Sequence, residues 1–494
     1  MTHGGNRARA AAGAPLEIGV SNFGPISRGT FRIAPMTILV GPNNSGKTYA
    51  ALLAHSVLSC LSAGASPWSL ASLVSEQHKK PGFRRLVSGM ESLAASASPD
   101  RVRIPPSLCR QACALADAFF VRELASKIEG NFGGDLASLV RAGARSSQIR
   151  ISGAVEASLT LSKGGPPAGR LGLSAAQYDI TGAAGKISVH ERKSGGRKQG
   201  AHHRAAQADG RIDYALAMMG MQDNLGLRAA LALLLKIMQF LPLPTSSHYL
   251  PAGRSGILST YDMLLSNIVN STKYGERDRD VRITGTVSDF VTFFHNVPEQ
   301  RPPATKNGKT AIGEMFGGRL ALSKPRFAPT RITYKSNGTE IPIRRASSGI
   351  AETTPFQLFQ SGSSRADVLV FEEPEAHLHP ESQTRLAKHI MRLVKGGTHA
   401  ILVTHGPYFL EQLSMFVRMS KISTAQRKKL GFEGTDFIDN SDVAPYVFKP
   451  EAKGGYSIHE LNHSADEGIW QDEFIMVTES MYEKDVKIDQ FLDL

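Results

Sequence analysis

Residues 36–48, MTILVGPNNSGKT, decide the fold. Five residues with strand character run directly into Gly41-Pro-Asn-Asn-Ser-Gly46-Lys47-Thr48, a full match to GxxxxGK[ST]. Residues 48–61, TYAALLAHSVLSCL, then show helical spacing without a breaker. The order is strand, glycine-rich loop, helix. Such a loop turns backbone N–H groups inward and cradles phosphates at a helix N-terminus. The spacing makes Gly41, Asn43, Asn44, Ser45, Gly46, Lys47 and Thr48 the candidate nucleotide ligands. Lys47 would reach the β- and γ-phosphates and the Thr48 hydroxyl would ligate Mg²⁺, so ATP and Mg²⁺ are the expected cofactors.

Outward from this loop, residues 16–22 (LEIGVSN) and 28–34 (RGTFRIA) alternate like short strands, with Gly24, Pro25 and Pro35 in the turns. Far downstream, residues 366–373 (ADVLVFEE) form a near-continuous apolar run, as in a strand buried on both faces of a parallel sheet. It ends in two carboxylates. Glu372 would hold the Mg²⁺ shell, and Glu373 would act as general base on the attacking water. Residues 380–397 (PESQTRLAKHIMRLVKGG) are an amphipathic helix stopped by glycines, and 399–405 (HAILVTH) are another buried strand. His405, at its end, could hydrogen-bond a γ-phosphate. Ser347, Ser348 and Gly349 precede the carboxylates by about 25 residues at a helix start, where a hydroxyl and bare backbone suit an anion. A hairpin is expected across 331–345 around Asn337-Gly338, a preferred type I′ turn. A helix is expected over 258–272. Alternating strands and helices around the loop make an α/β fold, a mixed sheet flanked by helices, with a large α+β insertion after the first helix.

The 494 residues suffice for two or three domains. The expected divisions are a loose start at 1–14, an ATPase part at 15–65, an insertion at 66–247, a second ATPase part at 248–414 and an extension at 415–494. No apolar run reaches the roughly 18 residues of a membrane span, and the start lacks the apolar core of a signal peptide. Cys60, Cys109 and Cys113 make neither a disulfide framework nor a zinc pattern, so a reducing cytoplasm fits best. Charge is uneven. Arg141 to Arg211 carries 12 Lys/Arg against 4 Asp/Glu, with a polar, basic loop at 191–211, whereas Asp466 to Asp493 carries 9 acids against 2 bases. A basic stretch supports DNA or acidic-partner contact, and an acidic tail supports docking of a different partner.

The stretches GPNNSGKT (41–48), ASSGI (346–350), VLVFEEPEAHLHP (368–380) and ILVTHGPYFLEQLS (401–414) resemble the ABC-type ATPases of the OLD-like group, related to SMC and RecF proteins. The resemblance covers about 15–65 and 248–494 and leaves the insertion unmatched. It implies that Ser347, Ser348 and Gly349 are the signature, that His377 and His379 lie in the D-loop and that His405 is the switch histidine. It also implies a head-to-head dimer in which one chain's signature completes the other's ATP site. The signature opens on Ala346 and lacks the terminal Gln, and no Q-loop glutamine can be placed. No carboxylate set for a Toprim nuclease follows the His405 strand, so no nuclease activity is expected of this chain. ATPase-only members resemble the ATPase subunits of anti-phage systems such as PARIS and Septu. That implies a slow ATPase switch holding a separate effector, a Toprim nuclease or toxin, with DNA or a phage protein as trigger. The alternative is a DNA-binding repair or chromosome-maintenance ATPase of RecF/SMC type.

Overall fold

A computed structural model describes residues 15–63, 67–96, 101–153, 155–172, 178–183, 186–191, 210, 212–238, 246–264, 266, 283–295, 310–323, 331–361 and 367–492. Most of the basic loop 191–211, with Arg192, Lys193, Arg197 and Lys198, and the start at 1–14 lie outside them. The chain forms two compact units: Glu17–His55, Gly130–Asp135 and Ser246–Leu494 in one, and Met1–Leu16, Ser56–Glu129 and Leu136–Thr245 in the other.

The first unit opens with β1 (Glu17–Phe23), β2 (Ile26–Arg32) and β3 (Met36–Val40), followed by α1, which starts at Lys47. The second unit contains α2 (Pro67–Gln77), α3 (Pro81–Ser96), β4 (Val102–Arg103), α4 (Pro106–Phe132), β5 (Ser146–Ser152), β6 (Ala157–Ser162), β7 (Gly165–Leu171), β8 (Tyr178–Ala183), β9 (Lys186–Glu191) and α5 (Leu225–Met238). β5, β6 and β7 pair as an antiparallel meander. Ile149, Ile151, Leu159 and Leu161 of that meander are buried, while Gln148 and Arg150 face out. Leu227, Leu231 and Leu234 of α5 pack with Leu86, Met90, Ile180 and Val189 into this unit's own apolar core.

The chain returns to the first unit with β10 (Ser247–Leu250), α6 (Arg254–Ser259), α7 (Gly285–His295), α8 (Ala311–Phe316), the strands β11 (Arg319–Ser323), β12 (Arg331–Ser336) and β13 (Thr339–Pro342), and α9 (Ser348–Ser361). Then come β14 (Val368–Glu372), α10 (Pro380–Lys395), β15 (His399–Val403), α11 (Pro407–Arg418), β16 (Val443–Pro450), β17 (Tyr456–Glu460) and a closing helix, Asp472–Phe491. In this unit the strand order is β10-β14-β15-β3-β16-β17-β2-β1. The first five run parallel. β3 and β14 are buried at every residue, which explains their unbroken apolar character. The fold is a mixed α/β P-loop fold with a large α+β insertion.

The turn at Asn337 (φ 48°) and Gly338 (φ 77°) has both residues left-handed, as a type I′ hairpin requires. One expectation is corrected. The helix placed at 258–272 starts earlier, at Arg254, and its first segment ends at Ser259. Gly253 (φ 65°) turns the chain after β10 and allows this early start. The remainder of the expected span, 267–272, lies outside the described residues.

Gly29 on β2 lets β17 approach closely, since a Cβ there would stand 2.4 Å from the Ile458 Cβ. Gly29→Ala should therefore cost about 1–3 kcal/mol by overpacking and lower the first thermal transition. An unchanged melting curve would contradict this packing.

Candidate active site

β3, β14 and β15 are adjacent and parallel, so the loops leaving their carboxyl ends meet on one edge of the sheet. The loop after β3 is the glycine-rich one. Gly41 (φ 139°), Asn44 (φ 61°) and Gly46 (φ 103°) hold conformations that aim successive N–H groups into a concavity. A Cβ on Gly46 would stand 2.7 Å from the Ile26 Cγ1, so glycine is required there for space as well as for φ. Ser45 and Lys47 are buried, whereas Asn43, Asn44 and Thr48 are exposed. The Lys47 ammonium folds onto its own loop, donating to the carbonyl oxygens of Gly41 (2.9 Å) and Pro42 (2.5 Å).

The loop after β14 carries the two carboxylates. Glu372 is buried, and its Oε2 accepts from the Ala252 N–H at 3.2 Å. Burial raises its pKa, while the Thr48 hydroxyl, the Ala252 N–H and the Tyr249 hydroxyl oppose the rise. Its Oε1 is buried with no hydrogen-bond partner. An orphaned carboxylate oxygen facing a threonine hydroxyl at a phosphate-binding loop is a hard oxygen donor pair that fits Mg²⁺. Glu373 has φ 42°, a left-handed conformation that costs a non-glycine residue on the order of 1–3 kcal/mol. Its N–H donates to the Val403 carbonyl (2.8 Å), and its own carbonyl accepts from Arg254 (3.0 Å).

The loop after β15 presents His405. Burial lowers its pKa, Lys47 lowers it further and Glu373 works the other way. His405 is therefore neutral at pH 7 and within electrostatic reach of both Lys47 and Glu373. A third carboxylate fixes this loop. Glu375 Oε1 accepts from the Thr404 hydroxyl (2.8 Å) and from the N–H groups of His405 (2.7 Å) and Gly406 (2.8 Å).

Thus Lys47, Thr48, Glu372, Glu373 and His405 converge within one chain. The residues expected to be the signature do not join them. Ser347 and Ser348 are exposed at the start of α9, and Gly349 is buried, where an added Cβ would stand 3.1 Å from the His377 carbonyl oxygen and 3.4 Å from Leu378. His377 (φ 59°) and His379 serve the loop and the α10 N-cap. Among the described residues no cluster of three metal-ligating side chains occurs. Sequence reading missed Arg254, Glu352, Tyr249 and Glu375. Glu375 was within sight as the third acid of EEPE, but its partners belong to the loop after β15, about 30 residues on.

Residues 262–410 match the family described as AAA ATPase domain, a span that includes Ser347–Gly349, Glu372, Glu373 and His405. No curated protein sequence matches the chain. Among solved structures, the chain is similar to an SMC head bound to the C-winged-helix domain of ScpA (TM-score 0.38, 11% identity, 90% of this chain and 97% of that one). It is also similar to the SMC head domain from Thermotoga maritima (0.31, 11%, 91% and 99%). A third is the Pyrococcus furiosus Smc head domain with an extended coiled coil, bound to the C-terminal domain of ScpA (0.33, 10%, 94% and 98%). Among the described residues no helix is long and apolar enough to cross a membrane.

Because His405 titrates below the ordinary histidine range, its protonation state does not change above neutrality. Turnover should stay flat from about pH 7 to 8.5 and fall only on the acid side. A rate that drops across neutrality, and loses that drop in His405→Gln, would contradict this placement.

Proposed function

We propose that the chain is a Mg-ATP-dependent switch ATPase of the RecF/SMC type that acts on DNA. The observation that supports the ATPase half is the convergence of Lys47, Thr48, Glu372, Glu373 and His405 on one sheet edge. In this reading the inward N–H groups of residues 41–46 bind the phosphates. Lys47 leaves its loop carbonyls for the β- and γ-phosphates. Thr48 and Glu372 hold the Mg²⁺, which, when bound, neutralises phosphate charge. Glu373 takes the proton of the attacking water, and its fixed backbone keeps its carboxylate aimed. Neutral His405 donates an N–H to the γ-phosphate oxygens. Ser347, Ser348 and Gly349, exposed and apart, serve the nucleotide of a second copy in a head-to-head dimer.

The outward face of the β5–β7 meander supports the DNA half. Arg150, Ser158 and Arg170 lie in register across three strands. Arg145, just before β5, and Lys163, in the β6–β7 turn, flank them at one end of the meander, where the Lys163 N–H donates to the Arg145 carbonyl (3.3 Å); all four cations are exposed, and Gln148, Thr160, Ser162 and Ala168 lie between them on the same face. Arg145, Arg150 and Lys163 form no ion pair among the described residues. Cations spaced among small hydroxyls suit a sequence-independent phosphate backbone. The defence reading, with a separate effector, has a weaker carrier. Met481, Ile488 and Leu492 are exposed on the acidic closing helix and are where a protein partner would dock. The DNA-acting reading takes precedence because its surface combines four exposed cations on one three-stranded face.

The test compares wild type, Glu373→Gln and the double variant Arg150→Ala/Arg170→Ala with and without duplex DNA. Glu373→Gln should retain nucleotide and lose about 10²–10⁴-fold in turnover. The double variant should keep basal turnover, lose DNA stimulation, and bind DNA with a salt slope about 2 lower in magnitude. A Glu373→Gln rate equal to wild type would contradict the ATPase reading. A DNA response unchanged in the double variant would contradict the DNA reading.

A further inference from the structure

Arg254 is the bulkiest fully buried side chain among the described residues, and its contacts are unusual in kind. Nη1 donates to the carbonyl oxygens of Pro251 and Glu372, each at 2.6 Å. Nη2 donates to the Glu373 carbonyl at 3.0 Å. Nε donates to the Glu352 backbone carbonyl (3.2 Å) and lies 3.0 Å from the Glu352 Oε2. The guanidinium stacks 4.7 Å from the Phe371 ring centroid, and Phe371 in turn stacks on Phe356 of α9. Glu352 Oε1 is occupied by the Ser255 N–H (3.0 Å) and hydroxyl (2.8 Å). One cation therefore grips the backbone of both catalytic carboxylates with one end and helix α9 with the other.

Glu352 lies four residues after Ser348, roughly 6 Å along the same helix at 1.5 Å per residue. An α-helix moves as a rigid rod over that distance. A displacement of its N-terminus must therefore carry Glu352, and Arg254 with it. The Glu373 carbonyl that Arg254 holds belongs to a residue in a costly φ, so a small shift of the clamp changes where the carboxylate points.

We infer that Arg254 is a positioning residue that couples the signature end of α9 to the aim of Glu373, so that engagement of Ser347–Gly349 by a second copy's nucleotide licenses hydrolysis. This rests on the ATPase reading above and adds a route by which the dimer controls it. A purely structural role would be a buried ion pair whose removal loosens the core without a link to the signature.

The experiment measures kcat, the Kd of a fluorescent non-hydrolysable ATP analogue and thermal unfolding for the full-length chain. The variants are Arg254→Lys, Ser348→Arg and their combination, with wild type and Glu373→Gln as references. Arg254→Lys keeps the charge but loses the fork that holds several carbonyls. It should bind the analogue within about twofold of wild type and lose roughly 10- to 100-fold in kcat, the scale of a 1 Å misplacement. Ser348→Arg should slow the wild type by a similar factor and add less than about twofold to Arg254→Lys, because both cut one link. Multiplying effects, or an Arg254→Lys rate within twofold of wild type, would overturn the coupling. Should Arg254→Lys fail to fold, Ser255→Ala removes one donor from Glu352 and leaves the ion pair. It should then lower kcat about two- to fivefold at unchanged Kd, and an unchanged kcat would mark Arg254 as structural only. A wild type without turnover, or a Glu373→Gln rate equal to it, would instead fail the ATPase reading.

Discussion

Glu373 occupies a backbone conformation that an L-residue avoids, and the site depends on that conformation being held. Two hydrogen bonds hold it, one to the Val403 carbonyl and one from Arg254. The first comes from the strand that also delivers His405. The second comes from the chain segment after β10, which also delivers the Ala252 N–H to Glu372. The neighbouring parallel strands thus supply the side chains proposed for catalysis and the groups that fix them. The strand order β10-β14-β15-β3 therefore bears on the proposed chemistry as well as on the architecture.

Electrostatics follows the same plan. Glu352, Glu372, Glu373 and Glu375 surround Arg254, and each favours its charged form against the burial that opposes it. Burying so many carboxylates is tolerable because most of their oxygens have donors. Glu375 Oε1 is satisfied by the loop before α11, Glu352 Oε1 by Ser255, and Glu352 Oε2 lies against the Arg254 guanidinium. Glu375 Oε2 and Glu372 Oε1 have no hydrogen-bond partner, and of these two carboxylates Glu372 is the one beside the Thr48 hydroxyl. A buried unsatisfied carboxylate oxygen is unfavourable unless something binds it, which is why it carries more information than the paired oxygens around it.

Much of this was legible in the chain. The apolar runs ending in GPNNSGKT, FEE and VTH are unambiguous, because strands buried on both faces admit few polar residues. The hairpin at Asn337-Gly338 was legible because only such residues accept two left-handed positions in succession. What stayed hidden was the support. Arg254 is a charged residue between two glycines, which looks like a surface turn until the carbonyls of Glu372 and Glu373, over 115 residues away, are brought to it. The resemblance led to the expectation that Ser347 and Ser348 serve the nucleotide of a second copy, and the structure leaves both exposed at the start of α9. The basic loop drew attention by composition, yet the described basic face is on the meander before it, where alternation hid its four cations among polar residues.

The central claim is that one chain holds an incomplete site, lacking the groups that Ser347 and Ser348 of a second copy would bring. Sedimentation of Glu373→Gln, which should bind but not consume nucleotide, tests this most directly. With Mg-ATP the mass should double, and Ser348→Arg in the same background should keep it at one chain. A mass that stays at one chain with ATP demonstrably bound would contradict the account.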